Sequence, residues 1–172
     1  MSATISLSEA HVFTALRNFL LAVLPTGMEV IQTQDNGVPM PAGPFVAMNN
    51  IGIKRLSTNK NTYDTTAQTK GIEVPTMYSV QLDFYGPSAD SSAAIVQALF
   101  RDDVGVHLFT DSVVPLYADD PQQMTLINGE QQFEQRWRVE VAMQYNPVVT
   151  MPQGSATALN VGLVSTDAAY PP

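Results

Sequence analysis

Residues 133–145 alternate more regularly than any other stretch of this chain, and the alternation limits what can be built around them. Phe133, Trp137, Val139, Val141, Met143 and Tyr145 fall on one side; Glu134, Arg136, Arg138, Glu140 and Gln144 fall on the other. A period of two is the signature of a β-strand with one face against a core. Counted from residue 131, the run would span roughly 50 Å at ~3.3 Å per residue, whereas an ordinary strand has about five or six residues. Such a strand either bends or reaches past its own domain. Its charged side (Glu134, Arg136, Arg138 and Glu140) is expected to meet solvent or a partner. Met124 to Ile127 on the near side of Asn128-Gly129 completes a hairpin signal.

Two helices follow from spacing. Val12, Phe13, Leu16, Phe19, Leu20, Val23 and Leu24 recur every three or four residues until Pro25 stops the pattern. The spacing predicts a helix over 7–24, with Ser6 as N-cap and Glu9 completing a capping box. A second is predicted over 89–101, with Ala93, Val96, Leu99 and Phe100 inward, Asp90 near its start and Arg101 at its end. Strands are expected over 28–34 and 45–56, and where Tyr78, Val80, Leu82 and Phe84 alternate with polar neighbours. Residues 38–44 hold three prolines and a glycine and read as a connector. Residues 104–116 are apolar and irregular and read as a short strand or turn limited by Pro115, with Asp119-Asp120-Pro121 as a boundary. The expected class is α+β: a mixed or antiparallel sheet flanked by two main helices, with an extended β-hairpin arm.

The arm is expected at 57–71, a stretch rich in Thr, Asn and Lys that lacks the apolar residues to order itself. Lys54, Arg55, Lys60 and Lys70 are half of the eight cations, in a chain of formal charge −8. With Asn61 and Tyr63 they form a local positive finger and a candidate contact surface. After Pro147 periodicity fades, so 1–147 reads as the domain and 148–172 as an extended tail ordered by a neighbour.

Catalytic chemistry is not legible. There is no cysteine, hence no disulfide, thiolate nucleophile or Cys-ligated metal. His11 and His107 lack metal-ligand spacing and read as structural. Asp102-Asp103 and Asp119-Asp120 lie at element ends, where acids are common. Ser57-Thr58-Asn59-Lys60 has the Ser-x-x-Lys spacing of acyl-enzymes but sits in a polar loop without companion motifs. Trp137 reads as sheet core. No cofactor, metal or catalytic residue is expected. The longest apolar run, residues 19–24, is far short of the ~20 residues a spanning helix needs, and no basic segment marks a leader. The acidic balance disfavours gripping a phosphate backbone. A soluble protein made in the cytoplasm is the expectation.

Three stretches together carry a resemblance. They are Pro44-Phe45-Val46-Ala47-Met48 leading into Ile53-Lys54-Arg55-Leu56, Tyr78-Ser79-Val80-Gln81-Leu82-Asp83-Phe84-Tyr85-Gly86 before a helix, and Phe133-Glu134-Gln135-Arg136-Trp137 opening the last strand. Over about residues 5–147 the chain resembles the neck or tail terminator proteins of contractile-tailed bacteriophages. The resemblance implies a structural virion protein made in a bacterial host cytoplasm, forming a hexameric ring at the head-proximal end of the tail tube. Its partners would be tube, sheath and head-connector proteins, with DNA passing through the lumen without specific binding and no membrane involved. Acids rather than bases would line the bore. The alternatives are another ring-forming tail component (a tube or tube-initiator subunit) or a non-catalytic binding module.

Overall fold

A computed structural model describes residues 2–33, 39–109, 112–127, 133–154, 156 and 161–162. The order is β1 (Thr4–Ile5), α1 (Glu9–Val23), β2 (Glu29–Gln32), β3 (Phe45–Arg55), β4 (Lys60–Asp64), β5 (Thr69–Glu73), β6 (Thr76–Tyr85), α2 (Ala89–Phe100), α3 (Asp103–Leu108), β7 (Val113–Ala118), β8 (Gln122–Ile127), β9 (Phe133–Tyr145) and β10 (Val148–Pro152). The class is α+β, as expected, but the strands form two sheets where one was expected. The main sheet runs β2-β3-β6-β9-β7, with β8 also on β9, and the smaller runs β1-β10-β5-β4.

Strand β9 is the spine of the main sheet, which accounts for its length. Along one side it pairs antiparallel with β6 from Arg136 to Tyr145. Along the other it pairs with β8 from Phe133 to Arg138 and with β7 from Val141 to Tyr145. Strands β7 and β8 behave as one strand broken at Asp119-Asp120-Pro121, with the Asp119 N–H still bonded to Glu140 O at 2.8 Å. The hairpin expected around Asn128-Gly129 forms as β8–β9; its turn lies outside the described residues.

One face of the main sheet carries Val46, Met48, Tyr78, Val80, Leu82, Phe84, Val139, Val141 and Met143, all buried under α1 and α2. Helix α1 contributes Val12, Phe13, Leu16, Phe19 and Leu20, and Phe19 meets Phe100 of α2 edge-on at 5.5 Å between ring centroids. Each such side chain taken from water stabilises the fold by about 1.5–3 kcal/mol. Trp137 packs, partly buried, against the same cluster, the sheet-core role its spacing implied.

Two local expectations are corrected. Helix α1 starts at Glu9, because Ser6 is taken up elsewhere: its N–H donates to Val148 O and its Oγ accepts from the Val148 N–H, both at 3.0 Å. The N-cap is Ser8, whose N–H donates to His11 Nδ1 at 3.2 Å. Residues 104–108, part of the stretch expected to be irregular, form α3 together with Asp103. Gly105 is its one buried residue, so the sequence shows no helical period there; the Asp102 carboxylate caps it by accepting from the Val104 N–H at 3.2 Å.

Candidate functional site

The polar stretch at 57–71 is strand rather than loop over much of its length. Strands β4 and β5 pair from Lys60↔Glu73 to Asp64↔Thr69, and Asp64 Oδ1 holds their turn by accepting from the Thr66 and Ala67 N–H groups at 2.8 and 2.9 Å. Too little apolar surface is available for the hairpin to order itself, so order comes from pairing. Strand β10 lies against β5 from Val148↔Glu73 to Pro152↔Thr69, and β1 lies against β10. The segment expected to open an extended tail at 148 is therefore paired within its own chain. Sequence reading missed it because five residues of Val, Thr, Met and Pro carry no alternation of their own.

This small sheet grows directly out of the large one. The β6–β9 ladder ends at Thr76↔Tyr145 and the β5–β10 ladder begins at Glu73↔Val148. The Val74 N–H donates to Pro147 O at 3.0 Å between them. The two ladders share one residue offset across the non-strand residues 74–75 and 146–147, and on that offset the alternation of side chains carries over. Ile72 thus lies on the same side as Tyr78, and Val149 on the same side as Tyr145. No helix follows them: α1 ends its cover at Glu9, whose carboxylate accepts from the Tyr78 hydroxyl and, at 3.3 Å, from Asn50 Nδ2. Burial first, then the Glu9 carboxylate, push the Tyr78 hydroxyl far above its ordinary pKa.

Of the predicted arm residues, Lys60 pairs with Glu73 at 3.3 Å and Lys70 sits 5.4 Å from the centroid of the Tyr63 ring. Asn61 and Tyr63 are exposed on β4, while Lys54 and Arg55 are exposed at the end of β3. These six residues are brought to one end of the molecule.

The four charged residues of β9 are not equivalent. Asp83, on β6, is 1% exposed, and Arg136 donates to its Oδ1 from Nε at 3.1 Å and Nη2 at 3.0 Å. Its Oδ2 accepts from Gln81 at 2.7 Å and Asn49 at 3.2 Å, and Asn49 in turn accepts from Thr33. The Arg136 guanidinium also lies over Tyr85, 5.7 Å from the ring centroid, and Tyr85 stacks on Phe45 at 4.5 Å. Arg136, expected to face solvent or a partner, is thus held within its own sheet. Nothing in the sequence marks Asp83 as its partner, since the two are 53 residues apart. Arg138 and Glu140 pair at 3.5 Å with about a third of each side chain exposed, and Glu134 is exposed.

Among the described residues, no group of three or more His, Asp or Glu is placed to hold a metal ion, and no helix is long and apolar enough to cross a membrane. His107 Nδ1 lies 2.7 Å from Asp103 O, within its own helix. Ser57 and Lys60 of the Ser-x-x-Lys pattern lie on open arm backbone, with Lys60 engaged by Glu73. Among the described residues the candidate contact groups lie on open surface: a two-sided small sheet at one end and a polar sheet face opposite the helices.

The model of a family described as phage neck terminator protein matches residues 10–168. The chain belongs to that family. The match continues past residue 147, beyond the stretch over which the resemblance was read, and takes in β10, which the fold has already placed in the arm. Among solved structures, the neck terminator chain is similar to the sheath/tube terminator of an extracellular contractile injection system, PVC, seen by cryo-EM in the extended state. The two share 11% identity and a TM-score of 0.54, over 96% of this chain and 66% of that one. At that identity the likeness speaks for the fold, and this chain spans just under two thirds of the other. No curated protein matches at a significant level. The neck terminator family is structural, so membership makes this a phage tail terminator, a virion tail component, and implies a non-enzymatic role.

Proposed function

We propose that this terminator closes the head-proximal end of a contractile phage tail as one subunit of a hexameric ring. On this reading the ring stops tube and sheath growth and presents a docking surface to the head connector, and DNA crosses its lumen without being gripped. The family match over residues 10–168 carries the reading. Physical features support it. A formal charge of −8 suits a bore that must let a polyanion slide. An arm that leaves the helix-covered core, with exposed Lys54, Arg55, Lys60, Asn61, Tyr63 and Lys70, suits contacts between neighbours. Arg138, Glu134 and Glu140 offer a second, polar contact surface. A closed ring uses two different patches on each subunit, one for each neighbour.

The experiment is light scattering on the purified chain, alone and with tube protein, followed by electron microscopy of tube ends. A species near six times 18.7 kDa, or rings seated on tube tips that no longer elongate, is the expected result. Open-ended tubes formed by the chain itself would assign it instead to a tube or initiator role. A monomer that leaves tube growth unaffected would overturn the terminator reading.

A further inference from the structure

The small sheet is amphipathic in a way its composition hides. Register puts Ile5, Val149, Ile72 and Asn61 in one cross-strand row, and Met151, Lys70 and Tyr63 in the next. At the end of β3, Ile53 and Arg55 pair with Tyr78 and Thr76 and so belong to this same side. The opposite side carries Thr4, Thr62, Thr69, Thr150, Asp64, Glu73 and Lys60, with Val148 and Pro152. The strands of this face are therefore apolar with two cations, Arg55 and Lys70; both acids of the arm lie on the other face, and Glu9 at the start of α1 is an acid at this face's border, beside Tyr78. The apolar face continues the sheet side that α1 and α2 bury, but beyond the start of α1 it is only partly covered among the described residues, with Ile72 and Val149 half-buried. Ile5, Ile53 and Tyr63 are each about 60% exposed. A sheet face of this kind is normally covered by another layer.

We infer that this face of the β1-β10-β5-β4 sheet is covered by a second copy of the chain, packing face to face rather than by strand addition at the β4 edge. The inference rests on the ring reading above and names the contact that would build it. Charge selects the occupant. The face is cationic, while the chain as a whole is strongly acidic, and that chain carries a complementary patch of its own. At the α2–α3 corner, Asp102 and Asp103, following the exposed Arg101, border Val104 and Val106, which are 43% and 53% exposed. Apolar centres with opposite charges at their rims are the pattern of a specific protein contact. Because the two patches are different, the contact is heterologous, as a ring requires.

The test compares the solution mass of the wild type and four full-length variants over one concentration series. The double variant Ile53→Ser/Tyr63→Ser removes apolar contact from two exposed positions, so folding should be spared; a circular dichroism melt checks that. Its self-association is expected to weaken about tenfold or more. Thr150→Lys, on the opposite face, is expected to assemble as the wild type does. The third variant, Lys70→Glu, is expected to lose assembly, and the fourth, Lys70→Glu/Asp103→Lys, to regain it, which a merely structural role for Lys70 would not produce. A wild-type ring that survives Ile53→Ser/Tyr63→Ser overturns the inference and leaves the ring reading standing. So does a variant that keeps its ring but no longer seats on tube ends, which would give the face to the tube protein. A wild type that never self-associates, alone or on tubes, overturns both.

Discussion

Replacing Arg136 by alanine separates a buried structural charge from the exposed charges beside it on β9. The Asp83 carboxylate is almost wholly out of water, and Arg136 supplies both donors to its Oδ1. Removing one partner of a buried ion pair costs about 3–5 kcal/mol. Two features pull the value down here: the Arg136 side chain keeps 26% of its surface exposed, so water can enter where it stood, and Gln81 and Asn49 go on holding Oδ2. We expect a loss of about 2–3 kcal/mol. With a urea dependence of about 2 kcal/mol/M, the unfolding midpoint should fall by about 1–1.5 M. Arg138→Ala breaks only the half-exposed pair with Glu140 and should cost about 0.5 kcal/mol. Trp137, the one tryptophan, reports unfolding by fluorescence, with protein concentration held fixed because self-association would shift the midpoint. The double variant Asp83→Leu/Arg136→Met should recover most of the loss, since the cost lies in the stranded carboxylate. Equal midpoints for Arg136→Ala and Arg138→Ala would refute the reasoning, as would a double variant no better than the single.

Further outcomes can be checked separately. Ending the chain after Pro147 removes β10, which leaves β1 unpaired and β5 with β4 alone, so trypsin should cut at Lys60 and Lys70 while the main sheet stays intact; ending it after Gly154 should leave the arm protected. Equal cleavage of the two truncations would count against β10 as the strand that orders the arm. Gly105→Ala places a Cβ 2.4 Å from Leu99 O and 2.9 Å from Phe100 O. Both are backbone atoms, so the α2–α3 corner must shift, at about 1–3 kcal/mol; an unchanged melting temperature would show that the corner gives freely. Tyr78 holds its proton in the fold at pH values where the unfolded chain, with an ordinary tyrosine pKa of 10.0, has lost it. Stability from this group is therefore complete below about pH 10 and is lost as pH rises above it. Urea midpoints measured from about pH 8 to 11 should fall less steeply in Tyr78→Phe than in the wild type; parallel curves would exclude Tyr78 as a source of the alkaline loss.

The sequence made α1, α2, β3, β6 and β9 legible because each has enough apolar residues at one period to declare which face is buried. It left α3 unread, since a six-residue helix with one buried glycine has no period to show. It misplaced the first N-cap because two serines two residues apart carry the same local signal; a strand 142 residues downstream, taking the hydroxyl of Ser6, decides between them. The candidate contact residues were partly legible. Their charge and exposure at 54–70 could be read directly, but which face each occupies could not.

Local pattern by itself determined that this chain would be α+β, acidic, built on one overlong strand and poor in chemistry, because period, charge and the absence of cysteine are properties of neighbours along the chain. The tertiary structure alone decided that Arg136 belongs to Asp83, that residues 148–152 complete the arm, and that Ile5, Val149, Ile72, Met151 and Tyr63 share one partly exposed face. Each of these is a pairing between segments far apart in sequence. In a β-sheet such pairings are fixed by register between strands, which no single strand encodes.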